Sequence, residues 1–346
     1  MKRIVLYILL LTLVLGGCDL PLEGFAPAVG VEDGLIVRCL DVGQADSILL
    51  QCGSEAMLID GGNVEDGPDV VARLQEVGVN RLTYVVNTHA HEDHVGGLAD
   101  VLAAFETDNV WCPVEKYDSR CFDAFAEAAE DQGLALTCPD PGTVWSLGEA
   151  QVTVLGPVED YAETNNTSLI LRVDYGSTSF LFTGDMEREA EADLLASGAD
   201  LEADVLKAGH HGSDTSSSYP FLRAVAPSYV LISVGEGNSY GHPGDDALSR
   251  FRDADAVVYR TDLQGEIIVT SDGASLQFET DRYAAQTNPT EAEKEPAQVT
   301  YIGNKKSKIF HLPTCANLPA EKNRITFSDY DAAIAEGYVP CGSCMQ

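Results

Sequence analysis

Thr88-His89-Ala90-His91-Glu92-Asp93-His94-Val95-Gly96-Gly97 places three imidazoles and two carboxylates within six residues. Imidazole is the commonest borderline-soft metal ligand, and carboxylate suits the same divalent ions. The preceding run, Leu82-Thr83-Tyr84-Val85-Val86, reads as a buried strand from its β-branched and aromatic content. Gly96-Gly97 behind the loop allows a helix to start on a tight turn. A strand that ends in such a loop holds several donors on one rigid support. Structural zinc sites are usually closed by cysteines, which this segment lacks. The reading is a catalytic metal site.

Both ends of the chain carry further signals. Met1-Lys2-Arg3, an apolar run from Ile4 to Leu15 and then Gly16-Gly17-Cys18 make an export signal over residues 1–17, too short to span a bilayer comfortably. Leu15-Gly16-Gly17-Cys18 resembles a bacterial lipobox, which implies lipidation of Cys18 and anchoring to the outer side of the cytoplasmic membrane. An ordinary signal peptide with an incidental cysteine is the alternative. Residues 18–33, rich in breakers and without periodicity, read as a tether. No segment identifies a protein partner.

Twenty-one basic residues against fifty-five acidic ones give a net charge of −34, which favours solubility and works against a long polyanionic partner. Apolar content of 45% is that of a folded chain. Among the nine cysteines, Cys39, Cys52, Cys112, Cys121 and Cys138 remain after the ends are set aside. Cys39 and Cys52 sit on strands expected to be hairpin neighbours, and Cys112 and Cys138 each end a short strand before a proline. Disulfides within those couples and free buried thiols both remain open, because connectivity is not written in sequence.

From Leu35 onward the chain alternates strands and helices in two halves. Strands are expected at 35–40, 47–50, 56–59, 82–86, 110–112 and 134–138, with helices at 70–77, 98–105 and 122–131. The second half has strands at 151–155, 168–175, 178–183, 205–207 and 229–234, helices at 187–196, 218–225 and 245–253, and a closing hairpin near 267–278. This pattern implies an α/β sandwich of two sheets with helices outside. A hydrolase domain over 34–280, a polar Pro-bearing linker over 281–298 and a small module over 299–346 complete the division.

Ligand-capable loops recur after other strands: Gly184-Asp185, Gly209-His210-His211-Gly212-Ser213, and Tyr240-Gly241-His242-Pro243. Together with Leu40-Asp41-Val42-Gly43-Gln44-Ala45-Asp46-Ser47, Ile59-Asp60-Gly61-Gly62, Asn165-Asn166-Thr167-Ser168-Leu169 and Leu206-Lys207, in this order over residues 35–280, they resemble the metallo-β-lactamase superfamily. The resemblance is nearest to the hydrolase domain that ends the ComEC competence proteins. It implies a four-layer αββα sandwich with two divalent ions, Zn²⁺ or Mn²⁺. In that scheme His89 and His91 serve the first ion, Asp93, His94 and His210 the second, and Asp185 bridges. His210 is preferred to His211, because it leaves the strand first; His211, Asp60, Asn166 and Ser213 fall outside the ligand set, orienting ligands or meeting substrate. The superfamily usually supplies a third histidine to the first ion between the halves, where this chain has Asn165-Asn166, a pair of amides suited to a harder ion. Asp93, Asp185, His242 and Lys207 are the expected catalytic groups, with Lys207 and Ser213 reaching phosphate oxygens and His242 meeting a leaving group.

At the other end, His311-Leu312-Pro313-Thr314-Cys315 and Cys341-Gly342-Ser343-Cys344 have the spacing of a tetrahedral site. The segment resembles the zinc module of Ada-type repair proteins, with His311 where that pattern has a cysteine, and implies one structural Zn²⁺. A disulfide among the three cysteines is the alternative. Lys305, Lys306 and Lys308 form the one locally basic patch. The resemblances imply an extracytoplasmic phosphodiesterase or nuclease acting on DNA. The alternatives are a hydrolase of small or wall-derived phosphoesters and a non-catalytic DNA- or wall-binding lipoprotein. A Ser-His-Asp hydrolase has no support, because no nucleophile-elbow pattern occurs.

Overall fold

The computed structural model describes residues 34–282 and 301–346, apart from 314, 316, 317, 328, 329, 343 and 346. Cys18 and the export segment therefore lie outside the described residues, as does most of the linker. No helix among the described residues is long and apolar enough to cross a membrane.

The first half builds strands β1 (Leu35–Cys39), β2 (Ile48–Cys52), β3 (Glu55–Ile59), β4 (Arg81–Val86), β5 (Glu106–Trp111) and β6 (Leu136–Thr137). The second builds β7 (Val144–Leu147), β8 (Ala150–Gly156), β9 (Ile170–Tyr175), β10 (Thr178–Phe182), β11 (Val205–Lys207), β12 (Tyr229–Ile232), β13 (Val257–Arg260), β14 (Ile267–Ser271) and β15 (Leu276–Thr280). One sheet has the order β15-β14-β1-β2-β3-β4-β5-β6, the other β13-β12-β11-β10-β9-β8-β7. The closing hairpin thus crosses over to complete the first sheet, with β14 antiparallel to β1. Each sheet is antiparallel on one side and parallel on the other: β3-β4-β5-β6 in the first, β10-β11-β12-β13 in the second.

Burial on both faces explains the composition of these strands. Along β2, Ile48, Leu50 and Cys52 point between the sheets with Val152, Leu171, Phe180 and Phe182, while Leu49 faces the helical layer. Both faces are dry, so the strands read as continuous apolar runs rather than alternations. Outside the first sheet pack α1 (Gly67–Glu76), α2 (Glu92–Val95), α3 (Leu98–Ala104) and α4 (Arg120–Asp131), presenting Val70, Leu74, Val101, Phe122 and Phe125. Outside the second pack α5 (Arg188–Ser197), α6 (Tyr219–Val225) and α7 (Asp245–Asp253), presenting Leu194, Phe221, Leu222 and Phe251. A short α8 (Thr261–Gln264) follows β13. The four layers are the αββα arrangement expected. Strands β7 and β13 escape sequence reading because Val144–Leu147 and Val257–Arg260 are four-residue segments at sheet edges.

Two cysteine couples resolve as free thiols. Cys39 pairs in register with Ile48, and Cys52 with Leu35, so the two cysteines lie at opposite ends of the β1–β2 hairpin and cannot bridge. Burial pushes the Cys39 thiol up to about 12, making it an inert core group. Cys112 and Cys138 are neighbours across β5 and β6, sharing a hydrogen bond as thiols.

The tail forms a separate sheet of β16 (Tyr301–Asn304), β17 (Ile309–His311), β18 (Arg324–Phe327) and β19 (Val339–Pro340), in the order β18-β16-β17-β19, with α9 (Tyr330–Ala335). Its small core gathers Tyr301, Phe310, Phe327 and Tyr338. Tyr330 stacks on Tyr219 of α6 at 5.8 Å and takes the Arg223 guanidinium over its ring at 4.8 Å, which docks the tail on the larger domain.

One ion pair ties the two sheets beneath their common edge. Lys207, ending β11, donates to Asp46 Oδ2 at 2.7 Å, and both are fully buried. A buried charge whose partner is removed is left uncompensated. Lys207→Met should therefore lower unfolding free energy in chemical denaturation by about 3–5 kcal/mol. A loss under about 1 kcal/mol would show that the pair does not fasten the sheets.

Candidate metal centre

The parallel strands of both sheets end at one edge, and the crevice outside those carboxyl ends receives the loops. Asp60 follows β3, the segment His89 to His94 follows β4, Asp185 follows β10, and His210-His211 follow β11. Gly184 (φ 49°) turns the backbone so that Asp185 faces inward; a Cβ there would meet Thr88 and Ser168 within 3.0 Å.

Four imidazole nitrogens converge on the buried Asp185 carboxylate. His94 Nε2 lies 3.3 Å from Oδ1; the Nε2 atoms of His89, His210 and His211 lie 3.9, 3.8 and 3.6 Å from Oδ2. His91 joins through its Nδ1, 3.0 Å from His89 Nε2. Asp93 Oδ2 stands 3.2 Å from His211 Nε2 and 3.9 Å from His94 Nε2. Asp93, His94, Asp185 and His211 each offer a ligand atom within 4.8 Å of the others.

The far side of each ring is held. His94 Nδ1 meets Asp60 Oδ2 at 2.8 Å, and Asp60 also accepts from Thr88 N at 2.7 Å and Thr88 Oγ1 at 2.6 Å. His211 Nδ1 meets the Ser233 carbonyl at 3.0 Å and Asp46 Oδ1 at 3.3 Å. His89 Nδ1 lies between the hydroxyls of Thr88 and Ser168, at 3.3 and 3.4 Å. His210 Nδ1 meets Glu187 Oε1 at 3.1 Å. Ring nitrogens fixed in this way leave Nε2 aimed at a common point, the usual arrangement behind a metal-ligating histidine.

Charge runs the same way. Burial opposes protonation of His94, yet the carboxylates of Asp185, Asp60 and Asp93 outweigh it and hold its pKa well above the ordinary value. His211 is likewise pushed up to about 10, burial being overcome by Asp185 and Asp46. Burial would raise Asp93, but His94 and His211 bring it down to about 2. Asp185 lies well below the usual range, the same histidines outweighing its burial. These anions need positive charge beside them, and His94 Nε2 and Asp185 Oδ1, both buried, make no hydrogen bond. Divalent cations on this donor set satisfy both demands, so the residues fit a metal centre.

Two expectations need correction. The structure brings His211, not His210, into the group with Asp93, His94 and Asp185. The reason is backbone: His210 and His211 both adopt left-handed conformations (φ 50° and 52°), so the ring leaving the strand first sets its Nδ1 on Glu187 and reaches only Asp185 with its Nε2, while the second reaches both Asp185 and Asp93. Lys207 cannot reach phosphate oxygens, being buried and spent on Asp46 and the Ala208 carbonyl.

Other expected residues take stations around the centre. Ser213 bonds Thr215 at 2.9 Å, and Thr215 bonds Glu187 at 2.8 Å. Asn166 accepts from the Glu187 amide at 2.9 Å, which fixes the loop after Asp185. His242 stands at the mouth with its ring 5.4 Å from that of His210; burial lowers its pKa. Sequence reasoning missed Asp46, Ser168 and Glu187. Asp46 and Ser168 lie within segments already singled out, and Glu187 carries no signal beyond standing two residues past Asp185. Beside Asp93 opens a cleft of about 540 Å³ whose walls include Asp41, Gln44, Glu65, Asp66, Asp69, Glu92 and Tyr240.

In the tail, His311, Cys315, Cys341 and Cys344 offer ligand atoms all within 4.8 Å of one another, with His311 Nδ1 3.4 Å from Cys315 Sγ. None of the three cysteines is in a disulfide. That donor set suits one tetrahedral metal ion.

A model of the metallo-beta-lactamase superfamily matches residues 40–236, and one of the metal binding domain of Ada matches residues 288–346. ComE operon protein 3 of Bacillus subtilis is 30% identical over 250 residues, covering 67% of this chain and 32% of its own. Competence protein ComA of Neisseria gonorrhoeae is 31% identical over 246 residues, covering 70% and 33%. The chain thus spans about a third of the length of these curated relatives. The metallo-beta-lactamase fold protein YhfI from Bacillus subtilis superposes with a TM-score of 0.48 at 13% identity, covering 68% of this chain and 100% of that one. By the extent of the family match and its identity to ComE operon protein 3, this chain belongs to the metallo-β-lactamase superfamily, on the ComEC-like side of it, and ends in a metal-binding domain of the Ada type.

Proposed function

We propose that this chain is a binuclear metal-dependent phosphodiesterase that works outside the cytoplasmic membrane, anchored through Cys18, with DNA as its first candidate substrate. The observation that carries the reading is the convergence of imidazoles and carboxylates from separate loops on buried Asp185. Support for DNA comes from the relatives, whose names include competence protein ComA and recombination protein 2.

Asp93, His94, Asp185 and His211 are placed to hold one ion, while His89, His91 and Asp185 face the other. When bound, two such ions, Zn²⁺ or Mn²⁺, would supply a water of lowered pKa and positive charge for the attacking and leaving oxygens of a phosphodiester. Asp60 and the Ser233 carbonyl set which nitrogen of His94 and His211 faces the centre. The half-buried His242, at the mouth, meets the leaving group. The tail contributes a structural Zn²⁺ site and the lysines at 305, 306 and 308, which suit a polymer strand.

A second reading rests on the cleft beside Asp93. Its carboxylates disfavour a polyanion and suit a small phosphoester bearing a cationic group, such as a phosphocholine ester. The intact donor set argues against a decayed, purely binding site.

Purified residues 19–346 should hydrolyse bis-p-nitrophenyl phosphate with Mn²⁺ or Zn²⁺ and stop on chelation. Failure with every divalent ion would remove the phosphodiesterase reading. Side-by-side turnover of DNA, RNA and phosphocholine esters then decides between the two substrate classes. Asp60→Ala should cost about 10- to 100-fold in kcat/KM through misoriented His94, and Asp93→Ala more than that. Equal activity of Asp93→Ala and the parent would mean the ligands are misassigned. Removing residues 299–346 should spare small-substrate turnover and weaken retention on polymer; loss of small-substrate turnover would make the tail part of the catalytic unit.

A further inference from the structure

The first ion is short of ligands. His89, His91 and the shared Asp185 supply three donors, whereas a zinc-type site takes four and a manganese-type site more. The segment between the halves offers amides here. Asn166 is occupied, its Oδ1 accepting from the Glu187 amide and its Nδ2 donating to Glu189. Asn165 turns its Nδ2 to Glu187 and leaves its buried Oδ1 without a hydrogen bond, the rival donor that the test below separates.

We propose that His210 is the missing donor, a ligand of the first ion held in place by Glu187. This rests on the two-ion reading above and assigns one more residue to it. His210 and His211 are consecutive and both left-handed, a conformation side chains adopt only where the surroundings impose it. Its effect is to splay the two rings, 6.2 Å apart at 65°, while sending both Nε2 atoms to the same Asp185 oxygen. His211 approaches that oxygen beside Asp93, 3.2 Å from its Oδ2, and His210 approaches it from the opposite support, Glu187, at 3.1 Å. Ligand atoms sharing an ion with bonds near 2.1 Å stand roughly 3–4 Å apart. The spacings of His89 to His91, His89 to Asp185 and His210 to Asp185, at 3.0, 3.9 and 3.8 Å, fall in that range.

The support behind His210 matches that behind the established members of the cluster. His94 has Asp60 on its Nδ1, His211 has a carbonyl, and His210 has the Glu187 carboxylate at 3.1 Å. Glu187 is in turn fixed by Thr215 Oγ1 at 2.8 Å and by the Asn165 amide at 3.4 Å. A surface histidine with no ligand to orient has no use for such a chain of supports. His210 keeps one quarter of its side chain in solvent, so it closes the first site from the mouth and leaves room for substrate beside it.

The test counts ions instead of turnover. Mn²⁺ is titrated into the metal-depleted centre of residues 19–346 by equilibrium dialysis, with electron paramagnetic resonance reporting whether bound ions are coupled. The parent should bind two coupled Mn²⁺ ions. His210→Ala should keep one uncoupled ion and lose the other at least 100-fold in affinity. Glu187→Gln should weaken the same ion about 10- to 100-fold while leaving its neighbour unchanged. Asn165→Ala, which removes only the weaker of the two supports of Glu187, should keep both ions, the first weakened less than in Glu187→Gln. Two ions at parent affinity in His210→Ala overturn the assignment, as does loss of an ion in Asn165→Ala with none in His210→Ala. If circular dichroism shows His210→Ala unfolded, unchanged affinities in Glu187→Gln overturn it instead. A parent that binds no Mn²⁺ or Zn²⁺ sinks the two-ion reading itself, and this assignment with it.

Discussion

A carboxylate sunk between two sheets cannot stay charged without positive neighbours, and Asp185 has them on every side. That requirement organises the domain. It explains why the parallel strands of both sheets finish at one edge, since only there can loops from β4, β10 and β11 approach a single oxygen pair. It also explains the left-handed Gly184, which lets the backbone pass Thr88 and Ser168 where any side chain would collide. Protons on His94 and His211 answer the charge in part; divalent ions held by the same nitrogens would answer it more fully, with release of those protons.

The centre is carried by a second set of buried charges that never meet substrate. Asp60 holds His94 and the Thr88 turn; Asp46 holds His211 and is itself neutralised by Lys207. Burying ions costs free energy unless each is paired and hydrogen-bonded, and a fully apolar substitute would often be the more stable choice. What the charged version contributes is orientation. Rings fixed to carboxylates cannot rotate away from the centre, so the donors are assembled before any ion arrives.

Much of this was legible in the sequence, for physical reasons that differ residue by residue. Apolar runs such as Ile48 to Leu50 and Phe180 to Phe182 announce strands buried on both faces, and a helix between parallel strands is required by geometry, so the four layers followed. The ligand loop at 89–94 was readable because six residues concentrate so much donor chemistry. The roles of His210 and His211 were not, because two left-handed residues in succession invert the order in which rings reach the centre, and no local pattern encodes that. Lys207 looked like a phosphate contact because basic residues near such sites usually are. Its true partner, Asp46, lies 161 residues earlier, and only the tertiary fold joins them. Cys39 and Cys52 looked bridgeable because hairpin neighbours are close, but the register leaves them at opposite ends.

Electrostatics then bears on substrate. On the proposed two-ion reading, the ions would outweigh Asp93 and Asp185, and the centre would draw in one phosphate group. Beyond it, Asp41, Glu65, Asp66, Asp69 and Glu92 line the adjoining cleft with carboxylates. A cleft lined by one sign of charge focuses its field, and this one disfavours the flanking phosphates of a duplex. A continuous polyanion therefore has one favourable contact and several unfavourable ones along this wall. On the nuclease reading, its remaining phosphates would leave by the side of the mouth where His210 and His242 stand, or be held by the lysines of the tail. A short or zwitterionic phosphoester meets no such conflict, because its cationic end is drawn to the same carboxylates that a strand must avoid.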